Sequence, residues 1–263
     1  EFRRVLFRSS DLLGDAKYRD AALPYMDLYV SEQLPNGGFT SNFRRKPTTE
    51  LSKAEYHDIL RRGKVNLADN GSNVTGLVQA ALRLEGERRA RYLEAARRWC
   101  DEWVPIWALP EGGYGNGIWQ GHKINSPYSC AIGTVTAALS AYTLASGDRT
   151  FVENAERAIL FQCDHWLENG QPILFDCYPL PRKTAGNDYG HSFYVLEGMC
   201  WTHYVSRDQA VRERIAQRMR QWIHGKNGLL SQWRGNWFNF QMIAYPPEWE
   251  ATPGLAMSRL GIR

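Results

Sequence analysis

Four segments of the chain, residues 66–73, 115–128, 176–191 and 231–250, concentrate residue types suited to acid–base chemistry. Two carboxylates on either side of a glycosidic bond can hydrolyse it, one donating a proton and the other attacking or activating water. The carboxylates that we single out as catalytic candidates are Asp69, Asp188 and Glu248. Each lies where a helix is expected to begin, so helix capping or a favourable first-turn charge is the competing explanation.

The third segment also pairs a tyrosine with a histidine. Tyr189 and His191 follow Asp188 at the start of a predicted helix. The positive end of a helix disfavours protonation of a histidine, so we expect a neutral His191 that can accept a proton as a fourth catalytic group. A Tyr/His pair beside a uronate carboxylate would suit a lyase or an epimerase. Arg182 and Lys183 could hold that carboxylate, although a solvated pair of cations is an equally good interpretation.

Aromatic and amide side chains accompany these groups. Sugar rings pack their C–H surfaces on aromatic faces, while amides and imidazoles bind hydroxyl groups. The residues expected to bind substrate are Asn70, Trp119, His122, Asn125, Tyr128, Tyr189, Trp237 and Trp249. The alternative is that these loops are simply packed by their own aromatic residues.

The four segments belong to a repeat of about sixty residues. Turns of the Gly-Asp type at Gly14, Gly86 and Gly147 each introduce a helix with a charged face, and a weaker copy begins at Arg207. A repeat of this length indicates that one supersecondary unit builds the whole fold.

Two kinds of helix alternate in this repeat. Amphipathic surface helices are predicted over 11–33, 88–103, 150–167 and 210–223. Helices nearly free of charge, and therefore buried on all sides, are predicted over 74–84, 129–146 and 191–205. The unit is an αα-hairpin. The sequence thus predicts an all-α fold, an α/α toroid with inner helices ringed by outer ones, and an open α-solenoid is the alternative.

The first nine residues, EFRRVLFRS, do not continue the repeat. They look like a translated sequencing adapter, and a basic N-terminal arm is the alternative. We therefore predict a partial toroid as the catalytic domain over residues 10–263. At this repeat length six hairpins would exceed the chain, so an incomplete ring is expected.

Composition argues against several partners. The formal net charge is +4, and the first nine residues supply +2 of it through Arg3, Arg4 and Arg8 less Glu1. The remaining charge of about +2 is too small to indicate binding to nucleic acid or to an anionic membrane. No run of eighteen apolar residues is present. Five cysteines without a Cys-x-x-Cys motif favour reduced core thiols, and Cys200-x-x-His203 alone does not make a zinc site. We expect no metal and no other cofactor.

The pattern resembles the six-hairpin glycosidase superfamily. The matching features are Gly147-Asp148-x-x-Phe151 with its copies, Leu-Pro-Asn-Gly-Gly-Phe at 34–39, and Asn70-Gly71-Ser72-Asn73 opening an inner helix. The superfamily contains glycoside hydrolases, polysaccharide lyases and sugar epimerases. The resemblance therefore implies an enzyme acting on a glycoside or a uronic-acid-containing saccharide, with an oligo- or polysaccharide as partner. Asp69 lacks the adjacent aspartate of unsaturated-uronyl hydrolases, so the resemblance does not select one reaction.

Two other functions stay open at this point. A toroid of the terpene-cyclase or prenyltransferase type needs an Asp-rich motif or a zinc-binding set, for which Asp176-Cys177 is the only hint. A non-catalytic helical-repeat binding module would spread its polar and aromatic side chains over a concave face rather than gather them in one pocket.

Overall fold

The structure, a computed structural model, describes residues 10–11, 13–176, 182–185 and 189–224, without the side chains of 182–185 and 189–192. Within these ranges the chain is mostly helical with little sheet, which confirms the all-α class. The helices are α1 (Ala16–Ser31), α2 (Lys53–Arg62), α3 (Leu67–Leu82), α4 (Gly86–Arg98), α5 (Ser129–Ser146), α6 (Val152–Asp164), α7 (Tyr189–Val205) and α8 (Gln209–His224). The strands are β1 (Lys64–Asn66), β2 (Gly117–Trp119), β3 (His122–Ile124), β4 (Ile173–Asp176) and β5 (Arg182–Ala185).

Helices α3, α5 and α7 form an inner layer in which α5 packs against both of the others. Nearly every residue of α3 and α5 is buried. Helix α5 is long and apolar enough to cross a membrane, but 89% of it is buried inside the protein, as in the core helix of a globular fold.

The inner helices α5 and α7 run parallel. Gly133 lies against Tyr194, and further along the same pair Ser140 Oγ lies 3.4 Å from Thr202 Oγ1. From Gly133 to Ser140 on α5, the contacted residue on α7 moves forward in sequence from Tyr194 to Thr202. In an antiparallel pair it would move backward. The approach is close, because a Cβ atom on Gly133 would lie 2.1 Å from the Tyr194 carbonyl oxygen.

Helix α3 runs parallel to α5 as well. Near their beginnings, Gly71 lies against the backbone of Thr134. At their other end, Arg89 follows α3 after a short turn and donates to the Ala145 carbonyl near the end of α5 at 2.7 Å. The three inner helices therefore begin at one end of the molecule.

Helices α1, α4, α6 and α8 form an outer layer whose neighbours are joined by polar contacts. Tyr92 of α4 donates to Asp27 of α1 at 2.8 Å, and Arg218 of α8 donates to the Cys163 carbonyl of α6 at 2.9 Å. Between α4 and the next loop the chain forms a π-helical turn over Trp99–Trp103 and a 3-10 turn over Val104–Trp107.

Four cysteines, Cys100, Cys130, Cys163 and Cys200, are free and buried, in agreement with reduced core thiols. Burial raises the pKa of the Cys163 thiol to about 12 and raises those of Cys100 and Cys200 well above the usual range. Cys177 lies outside the described residues.

Two predicted helix starts are wrong. Helix α3 begins at Leu67 rather than at Val74, because Asn66 caps it and the Asn116 carbonyl takes the Leu67 N–H. The first outer helix begins at Ala16 rather than at Asp11, since Gly14 turns the chain with φ +63° and Asp15 caps the helix. Helix α2 was not predicted.

Candidate functional site

A three-stranded antiparallel sheet joins the first two predicted segments. Strand β2 lies between β1 and β3, with Lys64 paired to Trp119 and Trp119 paired to His122. Strand β1 leads directly into α3, so Asp69 follows the sheet within one helical turn. Neighbouring strands are about 4.8 Å apart. The segment that carries Asp69 and the segment that carries Trp119 are therefore adjacent.

The third segment is tied to the same end of the molecule through Ser129, the first residue of α5. Ser129 Oγ accepts from the Phe175 N–H at 2.8 Å and donates to Gln162 Oε1 at 2.7 Å. Gln162 in turn donates to the Ile173 carbonyl at 2.9 Å. We call this end, formed by residues 64–73, 115–130 and 173–176, the rim.

Asp69 is exposed at the rim, and its carboxylate is held in place by Asn66. The Asn66 side chain accepts from the Asp69 N–H and donates to Asp69 Oδ2, both at 2.7 Å. The same amide donates to Ser41 Oγ at 2.8 Å. Asp69 is therefore not the helix cap, and its carboxylate is oriented towards solvent as a hydrogen-bond acceptor.

Asn70, the next residue, is fully buried. Neither its Oδ1 nor its Nδ2 has a hydrogen-bond partner among the described residues. Leaving a buried polar atom unpaired costs about 1–3 kcal/mol, so such groups are rare in folded proteins and call for an explanation.

Trp119 is half-buried on the outward face of the sheet. In an antiparallel pair, residues opposite each other point to the same face, so Lys64, Trp119 and His122 share one face. Val65 and Ile118 lie on the other face, which is buried. The Lys64 ammonium lies 4.2 Å from the centroid of the Trp119 ring, a cation–π contact that sequence reasoning missed.

The remaining predicted site residues are described to different extents. His122 and Asn125 are exposed, and Tyr128 is half-buried immediately before α5. Tyr189 and His191 lie in the first turn of α7, where only the backbone is described. Asp188, Trp237, Glu248 and Trp249 lie outside the described residues.

A groove of about 1030 Å³ runs along α6 and reaches the rim at Ser126, Pro127, Phe175 and Asp176, but none of the predicted catalytic or substrate-binding residues lines it. Its carboxylates are Glu111, Glu153, Glu156, Asp164, Asp176 and Asp208. Two of them make hydrogen bonds that stabilise the fold: Glu156 accepts from the Ser206 hydroxyl, and Asp208 caps the start of α8. Sequence reasoning missed this groove because its carboxylates come from several elements: three lie on α6, and Glu111, Asp176 and Asp208 lie in a turn, a strand and a loop.

Within the part of the chain that the structure describes, no group of three or more His, Cys, Asp or Glu side chains is placed to hold a metal ion. Cys200 and His203, a pair at helical spacing, are both buried in α7.

The segments that carry Asp69 and Trp119 thus meet at the rim, the third segment begins beside them at Asp176, and Asp69 is an exposed carboxylate whose contacts are defined there. No family model, curated protein or solved structure with which the chain was compared matches it.

Proposed function

We propose that the chain is a carbohydrate-active enzyme that acts at the rim on a glycoside or on a uronic-acid-containing saccharide, as a glycoside hydrolase or a polysaccharide lyase. The observation that carries the proposal is the sheet β1–β2–β3, which brings the Asp69 segment beside the Trp119 segment. A carboxylate next to an aromatic ring and several amides is a combination suited to sugar chemistry.

The proposal includes the finer architecture, in which the hairpins curve into an α/α toroid. Parallel inner helices, each connected to the next through an outer helix, support it. In such an arrangement the loops that enter the inner helices surround one opening, which is where the rim lies.

The proposed roles follow from the contacts. Asp69 serves as the proton-accepting or nucleophilic carboxylate, because Asn66 holds it as an acceptor that faces solvent. Asp188 or Glu248 supplies the second carboxylate, and Tyr189 and His191 replace that pair if the reaction is an elimination. The Lys64 ammonium beside Trp119 favours a saccharide that carries a carboxylate near the stacked ring.

The test is Asp69→Asn on the full chain, assayed against neutral and uronate-containing polysaccharides. We expect kcat to fall by about 10²–10⁴, the usual contribution of a proton-transfer group, with an unchanged melting temperature because the Asp69 N–H still bonds to Asn66. Asp101→Asn, an exposed aspartate on the π-helical turn, is the control and should keep wild-type kcat.

Full activity in Asp69→Asn would remove Asp69 from the mechanism. Wild-type protein that binds these polysaccharides but neither hydrolyses nor eliminates them would instead identify a binding module.

A further inference from the structure

The Ser41 hydroxyl lies beside the Asp69 carboxylate and has no part in the roles proposed above. The Asn66 side chain joins the two groups, because its Nδ2 donates to Ser41 Oγ at 2.8 Å and to Asp69 Oδ2 at 2.7 Å. Ser41 comes from the loop that follows α1, outside the four segments singled out in the sequence. The structure thus adds a hydroxyl group to the surroundings of Asp69.

The distance between the two oxygens follows from the orientation of the Asn66 amide. Its Oδ1 accepts from the Asp69 N–H at 2.7 Å, which identifies the oxygen, since a backbone N–H needs an acceptor. The two N–H bonds of Nδ2 then point about 120° apart, one towards each oxygen. Two acceptors bound to one planar amide nitrogen in this way are about 4–5 Å apart. Ser41 Oγ and Asp69 Oδ2 are therefore too far apart to bond directly.

This separation suits a single water molecule between the two groups. Oxygen atoms that share a hydrogen bond are about 2.8 Å apart, so one oxygen can bond to both across this gap. An ionised carboxylate only accepts, whereas the Ser41 hydroxyl accepts from Asn66 and still has its own proton to donate. The water would accept from Ser41 and donate to Asp69. Asp69 is exposed and Ser41 is half-buried, so solvent reaches the pair.

The loop that carries Ser41 is fixed at two places. The Ser41 N–H donates to the Lys64 carbonyl of β1 at 2.8 Å. The buried Glu32 carboxylate accepts from the N–H groups of Arg44 at 2.9 Å and Arg45 at 2.5 Å. Arg45 has φ +57°, a conformation that residues other than glycine keep only when their surroundings impose it, as often happens at functional sites. Ser41 is therefore held in position rather than left on a free loop.

We propose that Ser41 and Asp69 together hold the water molecule that attacks the substrate, with Ser41 positioning its oxygen and Asp69 taking its proton. The inference rests on the proposed function and narrows it, because Asp69 becomes a general base and the reaction a hydrolysis. The water oxygen bonds to the anomeric carbon, and the glycosidic C–O bond breaks as the leaving oxygen takes a proton from the second carboxylate. Attack from the face opposite the leaving group inverts the configuration.

The first test is Ser41→Ala on the full chain, assayed with the saccharide on which the wild type acts. We expect kcat to fall by about 10–100-fold with an unchanged KM, because the lost hydroxyl binds water and not the sugar. Ser41→Thr keeps a hydroxyl group and should restore most of the lost kcat. Thr49→Ala removes an exposed hydroxyl from the same loop and is the matched control, with wild-type kinetics expected.

The second test separates a contact with the water from a structural effect on the loop. In the Asp69→Asn background, Ser41→Ala should lower kcat little further, because the water that it positions can no longer lose its proton to Asp69. A purely structural role would lower kcat by the same factor in both backgrounds.

The third test uses the wild type alone. Proton NMR of the sugar released in the first minutes should show the anomer with inverted configuration. This measurement does not depend on whether any variant folds.

The outcomes separate the water site from the proposed function. A raised KM with wild-type kcat in Ser41→Ala, equal losses in both backgrounds, a product of retained configuration or an elimination product would each overturn the water site and leave the enzymatic proposal standing. If the wild type acts on no saccharide, the proposed function fails and the water site fails with it.

Discussion

The pKa of His203 is shifted strongly by the position of this side chain in the interior of the protein. The residue lies in the last turn of α7 and is 8% exposed. Burial, together with the charges of Arg212 and Arg220, lowers its pKa from 6.5 to about 4. The ring is therefore neutral in the folded protein at neutral pH, although the same histidine in the unfolded chain takes up a proton below about pH 6.5.

We expect this histidine to make stability depend on pH between about 6.5 and 4. In that window the unfolded state binds one more proton than the folded state, so stability is complete above pH 6.5 and falls as the pH drops to 4. A shift of this size corresponds to a loss on the order of 3 kcal/mol. Urea unfolding at pH 7 and pH 4.5 should show a smaller loss for His203→Gln than for the wild type, and equal losses would contradict the assignment.

Among the elements, the inner helices could be predicted best. The predicted bounds of α5, 129–146, agree with the structure, because the segment carries no charge and ends at Gly147 with φ +78°. The start of α3 could not be found in the same way. Its first two turns contain Asp69, Asn70 and Asn73, a polar run typical of a loop, and the contacts with Asn116 that accept the first N–H groups of the helix come from a distant part of the chain.

The rim was predictable in its residue types but not in its contacts. The segments that carry Asp69 and Trp119 could be identified from composition, whereas their pairing through β1 and β2 is set by long-range register. The Lys64–Trp119 contact and the unpaired Asn70 amide depend on that register and on burial, which a sequence pattern does not encode.

The packing of α5 on α7 gives a prediction at the level of elements. Gly133→Ala would place a Cβ atom 2.1 Å from the Tyr194 carbonyl oxygen and force the two backbones apart. We expect a loss of about 3 kcal/mol or more in urea unfolding. Gly147→Ala is the comparison: nothing lies within 4 Å of its added Cβ, so only its positive φ opposes the change, at roughly 1 kcal/mol. Equal losses would argue against close packing of the two helices.

At the level of the molecule, two arginines make equivalent contacts between successive hairpins. Arg89 donates to the Ala145 carbonyl, and Arg149 donates to the Val205 carbonyl at 3.1 Å. Each arginine lies at or just before the beginning of an outer helix and reaches the end of the next inner helix, and donor and acceptor are 56 positions apart in both cases. The recurrence ties the hairpins together at the end opposite the rim.

We expect Arg89→Met and Arg149→Met to lower the free energy of unfolding by similar amounts, about 1–2 kcal/mol each, because each loses a partly buried hydrogen bond from a charged donor. Arg97→Met removes exposed ion pairs with Glu94 and Asp101 and should cost less than about 1 kcal/mol. Urea unfolding curves provide the comparison, and the prediction is wrong if all three variants are equally stable.

The four buried cysteines have a practical consequence. They are distributed over both layers, with Cys130 and Cys200 in inner helices, Cys163 in an outer helix and Cys100 in the π-helical turn. A thiol is alkylated only when it is exposed and ionised, so each reacts at the frequency with which its own helix opens. Once Cys177 is replaced, the alkylation rate of each remaining cysteine reports how often the structure around it opens. The opening of the inner layer and that of the outer layer can therefore be measured separately.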